Sequence, residues 1–164
     1  MTLSVPVSCV VDASVGIKLV LRESLTNEAH ALFAHLANDP AARFHVPDLF
    51  DIECANILWK QVQHNGCPAP DAQSYLADIL ALALQRVPVT AVAGDALSVA
   101  NQYRLTAYDA AYVTLSGRLV VPLVTADNRL VNKMAGSPYV VLSLGNITIP
   151  PLPLPRPGGG TGAP

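Results

Sequence analysis

The sequence CVVD at residues 9–12 and the sequence LVTAD at residues 123–127 decide the fold class, because each is a short apolar run that ends in an aspartate. Short apolar runs are typical of strands that are buried on both faces of a sheet. Elsewhere the chain alternates helical patterns with further short strands, which favours a parallel sheet. The sequence therefore predicts an α/β domain with a central parallel β-sheet flanked by helices.

Hydrophobic periodicity and turn residues place the individual elements along the chain. Apolar positions recur at helical spacing, and Asn-Gly, Pro and similar breakers mark the ends of the helices. The predicted strands span residues 7–11, 43–46, 87–90, 120–125 and 139–142. The predicted helices span residues 14–22, 25–37, 49–64, 70–85, 93–103, 107–117 and 127–134.

Composition indicates one globular domain followed by a tail. Hydrophobic residues make up 51% of the 164 residues and charged residues 13%, so the chain can bury a sizeable core. The segment IPPLPLPRPGGGTGAP at residues 149–164 is too rich in proline and glycine to pack a core. We predict a folded domain over residues 1–145 and a flexible tail over residues 146–164.

The same composition favours a cytoplasmic protein without a membrane span. No apolar run reaches the roughly 18 residues that a spanning helix requires, and the apolar start breaks at Asp12 without a basic segment before it. Cys9, Cys54 and Cys67 lack zinc-ligand spacing, so three reduced thiols are expected. The net charge of −2 does not by itself indicate a nucleic-acid partner.

Four acidic residues have similar settings, at strand ends or near helix starts: Asp12, Glu53, Asp109 and Asp127. The carboxyl ends of parallel strands are where such sheets bind ligands. Carboxylates gathered there repel one another unless a cation lies between them, and Mg²⁺ or Mn²⁺ prefers oxygen ligands. These ions supply the charge relief and the water activation that phosphodiester hydrolysis requires. The pattern therefore predicts a metal-dependent phosphodiester hydrolase.

A helix-capping role is the alternative for three of the four. Asp12 and Asp127 are favoured N-cap residues for the helices that follow them, and Asp109 suits the first turn of its helix. Taken singly, capping is the better interpretation of each. Glu53 resists it, because a glutamate inside an apolar helix requires a partner or a metal.

Four motifs, taken in order, resemble those of PIN domains and, within that superfamily, of VapC-type toxin ribonucleases. They are VVDASV at 10–15, VPDLFDIECANIL at 46–58, LTAYDAAYVTLS at 105–116 and LVTADNRL at 123–130. The resemblance spans residues 7–144. It implies a PIN-like fold, divalent-metal-dependent endoribonuclease activity with Mg²⁺ or Mn²⁺, and a protein antitoxin as partner.

The resemblance also assigns residues to roles. The acidic quartet of the family, which binds the metal and supports catalysis, falls on Asp12, Glu53, Asp109 and Asp127. Its hydroxyl residue after the first aspartate falls on Ser14, its asparagine one turn after the glutamate on Asn56, and its threonine on Thr125. PIN toxins of this kind pair with one another, so a homodimer is expected.

Basic residues near these motifs are candidates for contacting an RNA backbone. Arg22 and Arg129 follow closely behind Asp12 and Asp127, and Lys60 lies one helical turn beyond Asn56. We expect Arg22, Lys60 and Arg129 to help line an RNA groove. The alternative is that they lie on ordinary solvated helix faces.

Two other functions compete with a ribonuclease. One is a non-catalytic PIN-like module with an RNA-binding or regulatory role, which has no reason to keep four clustered carboxylates. The other is a metal-dependent DNA nuclease. A nucleotide-binding domain of the Rossmann or P-loop type is disfavoured, because DASVGIK follows the first strand where a glycine-rich phosphate loop is required.

Overall fold

The structure, a computed structural model, describes residues 1–153 and contains one sheet of five parallel strands. The strand order across the sheet is β3-β2-β1-β4-β5, and every neighbouring pair is parallel. The strands are β1 Ser8–Val11, β2 Arg43–Pro47, β3 Gln85–Val87, β4 Leu123–Thr125 and β5 Val141–Ser143. The predicted α/β fold with a central parallel sheet is confirmed.

Seven α-helices and two short 3-10 turns connect and cover the strands within residues 1–153. The helices are α1 Ala13–Gly16, α2 Thr26–Asn38, α3 Leu49–His64, α4 Ala69–Leu80, α5 Ala93–Tyr103, α6 Ala107–Leu119 and α7 Asn128–Lys133. The 3-10 turns span Ile17–Leu19 and Val89–Ala91.

The order of the strands creates a crevice between β1 and β4. The chain runs outward from β1 through β2 to β3, then returns to place β4 on the other side of β1. Ligands bind at such a reversal point, outside the carboxyl ends of the strands. Asp12 follows β1 directly and Asp127 lies two residues after β4, so both lie at this edge of the sheet.

Close packing of the helices brings other parts of the chain to this crevice. Most of α6 is buried, from Ala110 to Ser116, which explains why its sequence is apolar on every face. The helix α1 lies directly against α3, since a β-carbon on Gly16 would lie only 2.5 Å from the ring of Phe50. Glycine at this position therefore permits the close approach of the helix that carries Glu53.

Several predicted boundaries were wrong, and backbone chemistry explains the differences. The predicted helix over 70–85 ends at Leu80, and the strand predicted at 87–90 lies at Gln85–Val87, ahead of Pro88, which lacks an N–H donor. The strand predicted at 120–125 begins at Leu123, because α6 runs on to Leu119 and ends in the left-handed Val120. The helix predicted at 14–22 narrows to a 3-10 turn after Gly16.

The first residues of the predicted tail contact the domain. Ile147 and Ile149 pack against the core, and Thr148 pairs with Thr2. The buried ring of His35 bonds through Nε2 to the carbonyl oxygen of Pro150, at 2.8 Å. The packed domain therefore extends to Pro150 rather than to residue 145, and residues 154–164 of the predicted tail lie outside the described residues.

The described residues also bear on the cysteines and on membrane-spanning helices. Cys9, Cys54 and Cys67 are all free thiols, and the first two are buried. Within residues 1–153, no helix is long and apolar enough to cross a membrane.

Candidate active site

Asp12 lies at the centre of the crevice and has two structural roles. It is the N-cap of α1, where its Oδ1 accepts hydrogen bonds from the Val15 N–H at 3.2 Å and from the Ser14 hydroxyl at 2.5 Å. Its side chain is buried, and burial raises its pKa from 3.8 to about 6 despite these hydrogen bonds. Capping alone does not require such burial of the Asp12 carboxylate.

Glu53 lies on α3, half-buried, and faces α6. The hydroxyl of Tyr112 on α6 donates a short hydrogen bond to Oε2 of Glu53. Burial raises the pKa of Glu53, the bond from Tyr112 lowers it, and the negative charges of Asp12 and Asp109 raise it further. The charges of Asp12 and Asp109 therefore act on the carboxylate of Glu53.

Asp109 is held at the start of α6 by the residue that caps that helix. The hydroxyl of Thr106 accepts a hydrogen bond from the Asp109 N–H at 3.0 Å. The same hydroxyl donates to Oδ2 of Asp109 at 2.9 Å. The carboxylate is half-exposed, and its position in the first helical turn is favourable for a negative charge.

Asp127 caps α7 and connects to Asp12 through two hydroxyl groups. Its Oδ1 accepts from the Arg129 N–H at 2.8 Å, and its own N–H donates to Oγ1 of Thr125 at 2.9 Å. Ser14 accepts from the Ala126 N–H at 2.9 Å, and its oxygen lies 3.4 Å from that of Thr125. Ser14 and Thr125 therefore fasten the end of β4 to the end of β1.

The chemistry of the four carboxylates fits a hard divalent cation. In Glu53, Asp109 and Asp127 one oxygen accepts hydrogen bonds, while the other has no hydrogen-bond partner among the described residues. Free carboxylate oxygens are the ligands that Mg²⁺ and Mn²⁺ prefer. Within residues 1–153, however, no three acidic, His or Cys side chains stand close enough together to hold an ion. Convergence of the four on one ion stays a prediction.

The other predicted site residues differ in how near they lie to these carboxylates. Arg129 lies beside Asp127, with Nε 3.6 Å from Oδ1, and its side chain is 92% exposed. Asn56 and Lys60 are exposed on α3. Arg22 is exposed and lines a cavity of about 640 Å³ that none of the four carboxylates lines. The place of Arg22 in an RNA groove stays a prediction.

Sequence reasoning missed Thr106 and Tyr112, which orient two of the carboxylates. The spacing of Thr106 and Asp109 is that of a capping box, so the pattern T-x-x-D was a usable signal. Tyr112 lies three residues after Asp109 and therefore shares its helix face. Nothing in the sequence indicates that its partner is Glu53, which lies 59 positions away.

Comparisons with known proteins agree with the motifs. The profile of the PIN domain family matches residues 9–136. Ribonuclease VapC9 of Mycobacterium tuberculosis is 36% identical over 121 residues, which cover 74% of this chain and 87% of that protein. The range matched by the family profile contains all four carboxylates.

Solved structures show the same fold. The crystal structure of PAE2754 from Pyrobaculum aerophilum superposes with a TM-score of 0.62 at 23% identity, covering 88% of this chain and 93% of that one. VapBC2 from Rickettsia felis, solved bound to a DNA fragment from its promoter, gives a TM-score of 0.57 at 12% identity, covering 83% and 98%. At these identities the likeness concerns the fold alone.

Proposed function

The chain belongs to the PIN domain family, and within it to the VapC group; on this premise we propose that it is a divalent-metal-dependent endoribonuclease, the toxin of a toxin–antitoxin pair. One observation carries the proposal: Asp12 caps α1, which packs against the helix that carries Glu53, and Tyr112 joins Glu53 to the helix that carries Asp109. Burial and the charges of Asp12 and Asp109 raise the pKa of Glu53, so ionisation of the carboxylate is disfavoured. A bound cation removes this cost.

The proposed roles follow from the hydrogen bonds. Asp12, Glu53, Asp109 and Asp127 would hold Mg²⁺ or Mn²⁺, which supplies charge relief at the phosphate and activation of water when bound. Ser14 fixes Asp12, Thr106 fixes Asp109, and Thr125 fixes the backbone of Asp127. The protein therefore contributes carboxylates whose orientation is set before any ligand arrives.

Exposed cations on the elements that carry the carboxylates support a polyanionic substrate. The guanidinium of Arg129 projects into solvent next to Asp127, and Lys60 is exposed on α3, which carries Glu53 and the neutral, exposed Asn56. Long-range attraction by the two cations steers a phosphate backbone toward a negatively charged site. The choice of RNA over DNA rests on the relative at 36% identity, which is named a ribonuclease.

The proposed partners are a protein antitoxin and a second copy of the chain, in the cytoplasm where RNA is available. The neighbour in fold from Rickettsia felis is a VapBC complex, which supports an antitoxin. On α3, Ile52 and Trp59 are 69% and 54% exposed and lie on one helix face. Such exposed apolar side chains support a homodimer that covers them.

A comparison of wild type with Asp109→Asn tests the proposed function. The Asn side chain still accepts the hydrogen bond from Thr106, so the fold is expected to stay intact while a charged ligand is lost. Cleavage of RNA with Mn²⁺ should fall by orders of magnitude, and EDTA should abolish wild-type cleavage. DNA of the same sequence, incubated in parallel, distinguishes a DNA nuclease.

Asp71→Asn is a matched control, because Asp71 occupies the third position of α4 as Asp109 does of α6, but is exposed on a helix that carries none of the four carboxylates. It should cleave RNA as fast as wild type. Equal cleavage by wild type and Asp109→Asn would mean that the assignment is wrong.

A further inference from the structure

Tyr112 is a buried residue whose hydroxyl has a specific partner. Its side chain is 3% exposed, inside the buried stretch of α6. A phenylalanine would satisfy the packing of that stretch equally well, and a buried hydroxyl costs free energy unless it is hydrogen-bonded. The ring of Tyr112 provides the packing. Its hydroxyl provides a hydrogen bond to Oε2 of Glu53.

That contact fixes a flexible side chain. Glu53 is half-buried on α3, and its long side chain has several rotamers available to it. Without a donor, the carboxylate would be free to turn toward solvent. The bond from Tyr112 takes up Oε2, while Oε1 has no hydrogen-bond partner among the described residues.

The contact also ties two ligand-bearing helices together. Tyr112 lies one turn after Asp109 on α6, and Glu53 lies on α3, so a single hydrogen bond fixes one carboxylate relative to the helix that carries another. An ordinary phenol is protonated at neutral pH, so the Tyr112 hydroxyl is a donor to the carboxylate.

We propose that Tyr112 is a positioning residue, which holds the carboxylate of Glu53 against α6 with one oxygen presented to a divalent cation. The inference rests on the proposed function, because it gives the hydrogen bond a purpose only if the carboxylates bind a metal. Partners that orient metal-ligating side chains typically change metal affinity by about 10–100-fold when removed. Tyr112 is expected to fall in that range.

Calorimetric titration of the full chain with Mn²⁺ provides a readout that is independent of cleavage. Tyr112→Phe should bind Mn²⁺ about 10–100-fold more weakly than wild type, with a similar thermal melt in EDTA. Tyr112→Met is a second variant without the hydroxyl, in case the Phe ring packs poorly. In cleavage assays the Mn²⁺ concentration for half-maximal rate should rise in step, while KM for RNA stays constant.

Tyr139→Phe is the control for loss of a phenol beside α6. The Tyr139 ring lies against Gly117 of that helix, and its hydroxyl has no hydrogen-bond partner in the part of the chain that the structure describes. Its affinity for Mn²⁺ should match wild type. An equal loss in this control would overturn the proposal, since the effect would not be specific to the contact with Glu53.

Two further outcomes would also overturn the proposal that Tyr112 positions Glu53. Unchanged Mn²⁺ affinity in a folded Tyr112→Phe protein, with wild type binding Mn²⁺ and cleaving RNA, would refute the positioning role and leave the proposed function standing. Unfolding of both hydroxyl-free variants would make Tyr112 a structural residue. If wild type neither bound Mn²⁺ nor cleaved RNA, the proposed function itself would fail.

Discussion

Replacing Asp12 by Asn should stabilise the metal-free protein at neutral pH. Asn is as good an N-cap as Asp, and its Oδ1 can still accept hydrogen bonds from Ser14 and from the Val15 N–H. What the variant removes is the charge, which burial disfavours. A residue kept only for stability would not behave in this way.

The magnitude follows from the pKa of Asp12, which the fold raises from 3.8 to about 6. That difference corresponds to about 3 kcal/mol, at roughly 1.4 kcal/mol for each pKa unit. An acid with a raised pKa carries no penalty below pH 3.8, and the penalty develops as pH rises and is complete above pH 6. The raised pKa already includes the attraction between the charge and the start of α1, so the expected gain at pH 7.5 is about 3 kcal/mol.

Urea denaturation in EDTA, repeated from pH 4 to pH 8, measures this gain. The free energies of unfolding of variant and wild type should converge near pH 4 and separate as pH rises. Asp127→Asn is a matched control, because Asp127 also caps a helix after a strand but its side chain is 42% exposed. It should show no such gain. An Asp12→Asn protein no more stable than wild type at pH 7.5 would refute the reasoning.

Other predictions concern the hydroxyl groups and the assembly. Ser14→Ala should lower the free energy of unfolding by about 1–3 kcal/mol, since the bonds to Asp12 and Ala126 are lost; an unchanged urea midpoint would contradict this. Thr106→Val should cost about 1 kcal/mol and slow RNA cleavage, whereas Thr106→Ser, which keeps the cap and the bond to Asp109, should restore both; equal behaviour of the two variants would count against the role. Light scattering at micromolar concentration should give the mass of a dimer, and a monomer mass would reject the homodimer.

The elements that depend on local chemistry could be predicted from the sequence. The bounds predicted for α3 and α5 match the structure. Asn65-Gly66 and Pro68 mark the end of α3, whereas the bounds of α5 follow from its apolar periodicity, since neither helix has a side-chain cap at its start. Asp12 and Asp127 were assigned to strand ends because each closes an apolar run, and both lie at the carboxyl edge of the sheet. For Asp12 the sequence allows either a helix cap or a place in the site. In the structure its carboxylate caps α1 and is also buried, and this burial raises its pKa.

Features that depend on tertiary contacts could not be predicted in this way. The bond between Tyr112 and Glu53 joins positions that only the packing of α3 against the buried α6 brings together. Val120 fits a strand by propensity, but the continuation of α6 places it in a left-handed turn, 89% exposed.

The most direct test of the account is a crystal structure with Mn²⁺, in which anomalous scattering locates the ion. The account predicts a peak at the crevice between β1 and β4, bound by oxygens of Asp12, Glu53, Asp109 or Asp127 at distances near ~2.1 Å. At least three of the four should contribute, directly or through water. A saturating Mn²⁺ concentration that leaves no peak there, or carboxylates that point to different faces of the domain, would contradict it.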